Sequence, residues 1–473
     1  MTSGDFERTH AELQALSDHY SASHHAPALT WGVMLDGMLA LSGHSGQLDD
    51  GVAPTTRTVF RIASMTKLFT AATVLRLRDD GILALDDAVT ELTAARPTAD
   101  APPVTLRHLL SMQSGLTSDD PWADRHLDIG TDELDALIAA GPMFAAAPGI
   151  GFNYSNLGYG VIGRVVERIT GERPQDLTDR LLVGPLALER TSWTPPDHED
   201  WARPHRVEDD RAVADGRPLG DGGLAPMGGL WSTVDDMVRV MGFLDDAFPA
   251  RDGDDAGPLQ RASRRELQQV QQATAVTHSA AAGEGLDHTP ERVDGGGYGF
   301  GLYVVHDQCF GHIVGHSGGL PGYGSNMRWL PGRRVGAVAL ANSTYAPMRM
   351  LTRRMLEVLD EHGLVPPVVM AVGPSLHHAA ERLLALLNNW SDEAAEALFA
   401  DNVALDDAFE RRARQAGRII GTHGRLTLQQ TMATSATEGT TTAVAADGRQ
   451  VQTTLVLSPY ASDRVQDYSI TVP

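Results

Sequence analysis

Ser64-Met65-Thr66-Lys67 places a serine and a lysine three residues apart. On a helix that spacing puts both side chains on one face, one turn apart. A serine hydroxyl is a weak nucleophile until a neighbouring base takes its proton. A lysine serves as that base when burial or a positive environment depresses its pKa. A helix N-terminus adds positive potential, which suits an oxyanion forming at Ser64. Serine and lysine are common helix residues, and the pair alone is a weak signal. Composition strengthens it: of 38 basic residues, 37 are arginine and one, Lys67, is lysine. Arginine replaces lysine as a surface cation but not as a proton acceptor, because guanidinium stays protonated in proteins.

Two further clusters carry chemistry. Tyr154-Ser155-Asn156 lies between Gly149-x-Gly151 and Gly158-Tyr159-Gly160. A tyrosine beside the serine–lysine pair can relay a proton to a leaving group. An asparagine amide can hold a substrate carbonyl and orient the lysine. His316-Ser317-Gly318-Gly319 ends the apolar strand Ile313-Val314, and its glycines allow a ligand close to the backbone.

These clusters must be positioned by a fold whose outline is readable. Residues 5–20 form an amphipathic helix. Leu29–Leu35 and Met38–Ser42 form a hairpin around Asp36-Gly37, a strong turn signal. A helix runs from Ser64 to Gly81, a C′ glycine. Residues 82–245 are mostly helical, and 250–297 read as a polar surface insertion. Strands return at Tyr298–Val305, Gly311–His316, Ser325–Leu330 and Val335–Ala341, before a helix at Met348–Glu361. Strands at both ends with helices between predict an α+β fold: one antiparallel sheet flanked by terminal helices, with a helical insertion at about 82–245. That domain is expected to span 1–364. Val365–Ser375 reads as a linker, with its Pro-Pro and Gly-Pro steps. A small α+β module follows at 376–473. It has two helical patterns, His377–Trp390 and Asp392–Phe399, and four strands near Arg425–Met432, Thr440–Ala445, Gln450–Leu457 and Val465–Val472. Its helices-then-meander order is loosely similar to cone-shaped NTF2-like folds.

The formal net charge is −23 over 473 residues. That disfavours nucleic acid and anionic membrane as partners. The single cysteine, Cys309, leaves no internal disulfide or cysteine cluster. The 18 histidines include no H-E-x-x-H, so neither a metal nor another cofactor is expected. No apolar run reaches the ~20 residues that span a bilayer. The opening residues lack the basic and apolar regions of a signal peptide, so the expectation is a cytoplasmic protein.

Taken together, Ser64-x-x-Lys67, Tyr154-x-Asn156 and His316-x-Gly318 resemble the serine β-lactamase superfamily in order and separation. The likeness is to its class C side, with the DD-peptidases, D-aminopeptidases and β-lactamase-like esterases. Leu106-Arg107-His108-Leu109-Leu110-Ser111-Met112-Gln113-Ser114-Gly115-Leu116 is similar to the family's LRHLLTHTSGL stretch and departs from it at Met112 and Gln113. Gly228-Gly229-Leu230-Trp231-Ser232-Thr233-x-Asp235-Asp236 is similar to its GGLxSTxxD stretch. The resemblance covers roughly residues 10–360.

The resemblance implies that Ser64 is acylated with Lys67 as its base, that Tyr154 shuttles protons, and that Asn156 positions Lys67 and the substrate. It implies an oxyanion hole from the backbone N–H groups of Ser64 and Gly319. His316 would stand where β-lactamases carry the lysine of Lys-Thr-Gly. Histidine is largely neutral at pH 7. A small neutral ester, amide or D-amino-acid derivative is therefore favoured over a β-lactam, unless Arg328 on the neighbouring strand supplies the missing charge. Gly318 and Arg328 are the expected substrate-binding residues. β-Lactamase or DD-carboxypeptidase activity is the alternative, and a catalytically idle binding module a second one. Gly315-His316-Ser317-Gly318-Gly319 also fits G-x-S-x-G, the nucleophile elbow of α/β-hydrolases. That elbow needs a following helix, and Leu320-Pro321-Gly322-Tyr323-Gly324 is not one.

Overall fold

Two strands of this chain are apolar along almost their whole length, Ala28–Leu35 and Val335–Ala341, and both are buried nearly end to end. Such strands need cover on both faces. The computed structural model describes residues 3–472 apart from 93–97, 99, 198–199, 249–254, 256, 284, 289, 368–369, 371 and 461–462. The chain divides into two compact units, Met1–Pro366 and Pro367–Pro473.

The first unit begins with α1 (Ser3–Ser23) and the hairpin β1 (Ala28–Leu35) and β2 (Met38–Gly46). The helix α2 (Thr66–Asp79) follows, then a helical block that includes α3 (Asn156–Thr170). The sheet resumes with β3 (Arg292–Tyr298), β4 (Tyr303–Asp307), β5 (Gly311–Leu320), β6 (Tyr323–Leu330) and β7 (Val335–Ala341), and α4 (Met348–Glu361) closes the unit. The strands lie in the order β2-β1-β7-β6-β5-β4-β3, and the short strand Gln272–Ala273 extends the β3 edge. The named strands pair antiparallel, with Trp31 opposite Ala339 and Ser317 opposite Asn326.

The period of two divides the sheet between two cores. Trp31, Val33, Ala337 and Ala339 pack against Leu13, Leu16, Leu351, Met355 and Leu359 of the terminal helices. Val338 and Leu340 join the core shared with α2 and the helical block. Lying between the sheet and that block, α2 is buried on every side from Thr66 to Leu75, so it shows no amphipathic stripe.

Several expectations are corrected. Ser64 belongs to a 3-10 turn, Ala63–Met65, that leads into α2. The strand expected at Tyr298–Val305 is two strands, β3 ending at Tyr298 and β4 starting at Tyr303. The chain reverses through Gly301, which has φ +70°; a Cβ there would lie 2.5 Å from the Lys67 carbonyl oxygen. Much of 250–297 is structural, since it holds the helix Arg261–Leu267 and β3; residues 250–254, 256, 284 and 289 lie outside the described residues. The strand Gly311–His316 runs on to Leu320. The helical insertion at 82–245 also contains a small hairpin, His205–Glu208 with Arg211–Ala214.

The second unit carries α5 (Pro374–Asn388), α6 (Asp392–Leu398), α7 (Asp401–Asp406) and α8 (Phe409–His423). An antiparallel meander follows: β8 (Leu426–Ala433), β9 (Glu438–Ala445), β10 (Gln450–Leu457) and β11 (Val465–Thr471). Leu376, Leu383 and Leu387 of α5 share a core with Leu426, Val451, Leu455 and Val465. Two helices, α7 and α8, escape the sequence pattern. Among the residues of α8 only Ala416 is fully buried, and its two glycines weaken the local helix signal. Part of the linker expected at 365–375, namely 368, 369 and 371, lies outside the described residues.

Candidate active site

The entry to α2 is built under backbone strain. Ala63 adopts φ +50°, unusual for a residue with a side chain, directly before Ser64. Ser64 reaches the surface only slightly, and Lys67, one turn on, is fully buried. Lys67 Nζ donates to Ser64 Oγ at 2.9 Å, to Asn156 Oδ1 at 2.7 Å and to the Met227 carbonyl at 2.8 Å. These three acceptors take all three protons of the ammonium. Met227 precedes the Gly228–Asp236 stretch, so that stretch delivers the third acceptor.

Asn156 is the first residue of α3. Ser155 caps the helix by accepting the Gly158 N–H at 3.1 Å. The Asp119 carboxylate accepts the N–H groups of Asn156 at 2.7 Å and Leu157 at 2.8 Å, where the helix dipole favours an anion. Asn156 Nδ2 donates to Asp120 Oδ1 at 2.5 Å. Behind this turn, Met112 Sδ accepts the Ser155 N–H at 3.3 Å, so the departure at Met112 still contacts the motif. The Tyr154 side chain is hydrogen-bonded to Ser64. Its ring centroid lies 4.9 Å from Lys67 Nζ and stacks with Tyr303 at 6.5 Å.

Burial sets the electrostatics. It pushes Lys67 down to about 8, while Asp120, Asp124 and Asp119 pull the other way. It pushes the Tyr154 phenol well above its ordinary value, which keeps the hydroxyl protonated near neutral pH. Burial also raises Asp124 to about 6, against a hydrogen bond from Tyr345 Oη at 3.0 Å. Sequence reasoning missed these carboxylates. The available signal was Asp119-Asp120-Pro121, an acidic cap before an N-terminal proline.

The strand β5 forms the other wall. A Cβ on Gly318 would fall 2.2 Å from the Ile62 carbonyl oxygen, so this position brings the strand against the turn that holds Ser64. Gly319 is next along, and its ring neighbour is Tyr345. His316 is buried among Tyr154, Tyr298 and Tyr303. Burial and the Lys67 charge push it down to about 3, so it is neutral at pH 7. Its Nδ1 donates to the Ser317 carbonyl, and Nε2 then accepts from Tyr298 Oη at 3.0 Å.

Ser64, Asp120, Asp124, Tyr154, Gly319 and Tyr345 line one cleft of about 460 Å³, with Tyr303, His316 and Ser317 along its sheet side. Lys67 and Asn156 lie beneath it. Arg328 is not brought to this cleft: its Nε donates to Asn326 Oδ1 at 3.2 Å, and its guanidinium donates to the Arg349 carbonyl at 3.0 Å. Ser317 sits within β5, followed by the turn to β6 rather than by a helix, and its hydroxyl accepts from Asn326 Nδ2 at 2.9 Å. The nucleophile-elbow geometry is absent there.

Comparison with known proteins agrees with this architecture. The β-lactamase family model matches residues 13–360. The chain is 32% identical to penicillin-binding protein 4 of Amycolatopsis lactamdurans, over 76% of this chain and 93% of that protein. It is 30% identical to esterase EstB of Burkholderia gladioli, over 62% of this chain and 79% of that one. The structure of the octameric penicillin-binding protein homologue from Pyrococcus abyssi shares the fold at TM-score 0.62 and 18% identity, covering 97% of this chain and 99% of that one. No helix among the described residues is long and apolar enough to cross a membrane. With the family's pattern spread over three separate elements and the match extending across nearly the whole first unit, the chain belongs to the β-lactamase family.

Proposed function

We propose that this protein is a serine hydrolase that forms an acyl-enzyme at Ser64 on a small ester, amide or D-amino-acid derivative. The observation that carries the reading is the buried Lys67 ammonium held between Ser64 Oγ, Asn156 Oδ1 and the Met227 carbonyl. A lysine pushed down to about 8 is neutral in roughly a tenth of molecules at pH 7, and that form can accept a proton.

In acylation, neutral Lys67 takes the Ser64 hydroxyl proton as Oγ bonds to the substrate carbonyl carbon. The carbonyl oxygen becomes an oxyanion facing the backbone N–H groups of Ser64 and Gly319. As the tetrahedral intermediate collapses, Tyr154 gives its proton to the departing oxygen or nitrogen and regains one from Lys67. Water then attacks the acyl-enzyme along the reverse relay, releasing the acid and restoring the Ser64 hydroxyl. Neutral His316 places no fixed charge on the cleft, which favours small esters and amides. The relative named an esterase supports ester turnover. The relative named a penicillin-binding protein supports β-lactam acylation as the second reading.

The test is covalent labelling with a fluorophosphonate and a penicillin-type probe, followed by mass mapping. Rates are then compared on p-nitrophenyl esters, D-amino-acid amides and nitrocefin. Label on Ser64 with ester or amide turnover is the expected result. A folded protein that neither labels at Ser64 nor turns over any of these compounds overturns the reading.

A further inference from the structure

The cleft has two ends, and different residues mark them. Along β5, His316 and Gly319 are separated by ~10 Å of extended strand. Tyr154 and Tyr303 pack beside His316, whereas the Tyr345 ring packs on Gly319. Tyr154, as proton donor to the departing group, draws the leaving group to its own end of the cleft. The acyl group on the same carbonyl carbon then points the other way, past Gly319 towards Tyr345.

Tyr345 is held there as a wall. It lies in the connection from β7 to α4 with φ +55°, a conformation that residues with side chains seldom adopt. The backbone around it is fixed. The Tyr345 N–H donates to the Tyr323 carbonyl at 3.1 Å, the Thr344 N–H donates to the His205 carbonyl at 2.9 Å, and Thr344 Oγ1 accepts the Gly322 N–H at 2.7 Å. The ring comes so close to β5 that a Cβ on Gly319 would meet it at 2.7 Å. From the sheet side the phenol reaches the helical side, where its Oη donates to Asp124 Oδ2 at 3.0 Å. Asp124 ends the short helix Asp120–Ala123 and is only 4% exposed. Removing a donor from a buried carboxylate is costly, so this bond resists opening. Ser64, Gly319, Asp124 and Tyr345 line the same cleft, and the Tyr345–Asp124 bridge joins its two walls.

We propose that Tyr345, held by Asp124, is the residue that sets the size of the acyl group. It closes the acyl end of the cleft, so that the enzyme takes short acyl groups such as acetyl and butyryl and rejects long alkyl chains. A longer chain has to push the ring aside and strip Asp124 of its donor. The proposal rests on the serine hydrolase reading and narrows its substrate class.

The experiment measures kcat/KM for two series. One is p-nitrophenyl acetate, butyrate and octanoate; the other is acetate esters with leaving groups of increasing size. In the wild type, kcat/KM is expected to fall by ~10-fold or more from butyrate to octanoate, the scale on which a pocket discriminates by shape. In Tyr345→Ala the octanoate-to-butyrate ratio is expected to rise by ~10-fold or more, with the leaving-group series keeping its order. Tyr345→Gly suits a positive φ and carries the same expectation, so it keeps the test valid if the alanine variant does not fold. Tyr345→Phe keeps the ring without the bond to Asp124 and is expected to fall between wild type and alanine. A phenylalanine profile equal to wild type removes Asp124 from the proposal and overturns it as stated. A wild type that labels at Ser64 yet hydrolyses octanoate as well as butyrate overturns it too, as does a ratio unmoved in the alanine and glycine variants; both outcomes leave the hydrolase reading standing. A change confined to the leaving-group series overturns the assignment of Tyr345 to the acyl end. A folded wild type with no label at Ser64 and no turnover of any ester sinks the hydrolase reading, and the proposal with it.

Discussion

The side-chain oxygen of Asn156 accepts from Lys67 Nζ at 2.7 Å while the amide nitrogen of the same residue donates to Asp120 at 2.5 Å. Asn156 thus stands between an ammonium and a carboxylate that would otherwise pair. A direct ion pair would hold Lys67 in its charged form and remove it as a base. A neutral amide orients the lysine and leaves burial free to push it down to about 8.

Asn156→Asp tests that separation. Wild-type kcat/KM should rise with pH through about 8 as Lys67 loses its proton. A carboxylate beside Nζ favours the ammonium, so the rising limb should move upward by ~1 pH unit or more, lowering the rate at pH 7 by ~10-fold. A pH profile of ester hydrolysis reads this directly. A limb that stays in place would mean that Lys67 does not set it.

Lys67→Arg keeps a positive charge and abolishes proton acceptance. It is expected to fold and to lose ~10²–10⁴ in kcat/KM, the range attributed to general-base catalysis. Thermal melting checks the fold and single-turnover acylation checks the chemistry. Near-wild-type acylation would make Lys67 a structural cation.

The parts of this site that were legible in the sequence share one property: their geometry is local. Ser64 and Lys67 are one helical turn apart, and Tyr154 and Asn156 flank one helix cap. The sheet was legible where apolar runs are uninterrupted, as at Val335–Ala341, and where a turn is chemically marked, as at Asp36-Gly37. What stayed hidden depends on tertiary placement. Asp119, Asp120 and Asp124 read as a surface cap, yet Asp124 is buried and all three bear on Lys67. Arg328 was legible as a candidate on the strand beside the third motif, and only the packing of α4 against β6 shows that it lies beside Arg349 and Arg353 rather than in the cleft. The break between β3 and β4 follows from the approach of Gly301 to the Lys67 backbone, which no local pattern encodes.

Serine labelling distinguishes the two candidate nucleophiles. Ser64→Ala should lose all fluorophosphonate labelling, and Ser317→Ala should keep the label on Ser64. Ser317 lies inside β5 with its hydroxyl bonded to the Asn326 amide and has no base comparable to Lys67. Mass mapping that finds the label on Ser317 in the wild type would reverse the assignment.

Every group assigned to the cleft comes from the unit Met1–Pro366, which has its own cores. Residues 1–366 expressed alone should therefore still label at Ser64. A truncated protein that folds, by circular dichroism and gel filtration, but does not label would show that residues 367–473 complete the site.

Gly318 and Gly319 are neighbours with different tolerances, and their alanine variants should separate strand placement from cleft shape. A Cβ on Gly318 would lie 2.2 Å from the Ile62 carbonyl oxygen, 2.3 Å from Ser325 Oγ and 3.0 Å from Ala63 Cβ. The Ile62 carbonyl is backbone of the strained turn before Ser64, and it already accepts from Ser325 Oγ at 2.8 Å, so it has little room to yield. In Gly318→Ala, β5 must back away from that turn, at a cost of ~1–3 kcal/mol typical of overpacking. The same movement carries the Gly319 N–H away from the forming oxyanion, and loss of one such donor costs ~10²–10³ in kcat. A Cβ on Gly319 instead meets the Tyr345 ring at 2.7 Å, and that ring belongs to a side chain 48% exposed that can move outward at the cost of its Oη bond to Asp124. Gly319→Ala should therefore keep its melting temperature and lose far less kcat, with the change falling mainly on KM. Melting curves and ester kinetics on the pair decide the matter. A Gly318→Ala protein with unchanged stability and kcat, or a Gly319→Ala protein that is the more damaged of the two, would mean that Gly318 does not set the distance between β5 and Ser64.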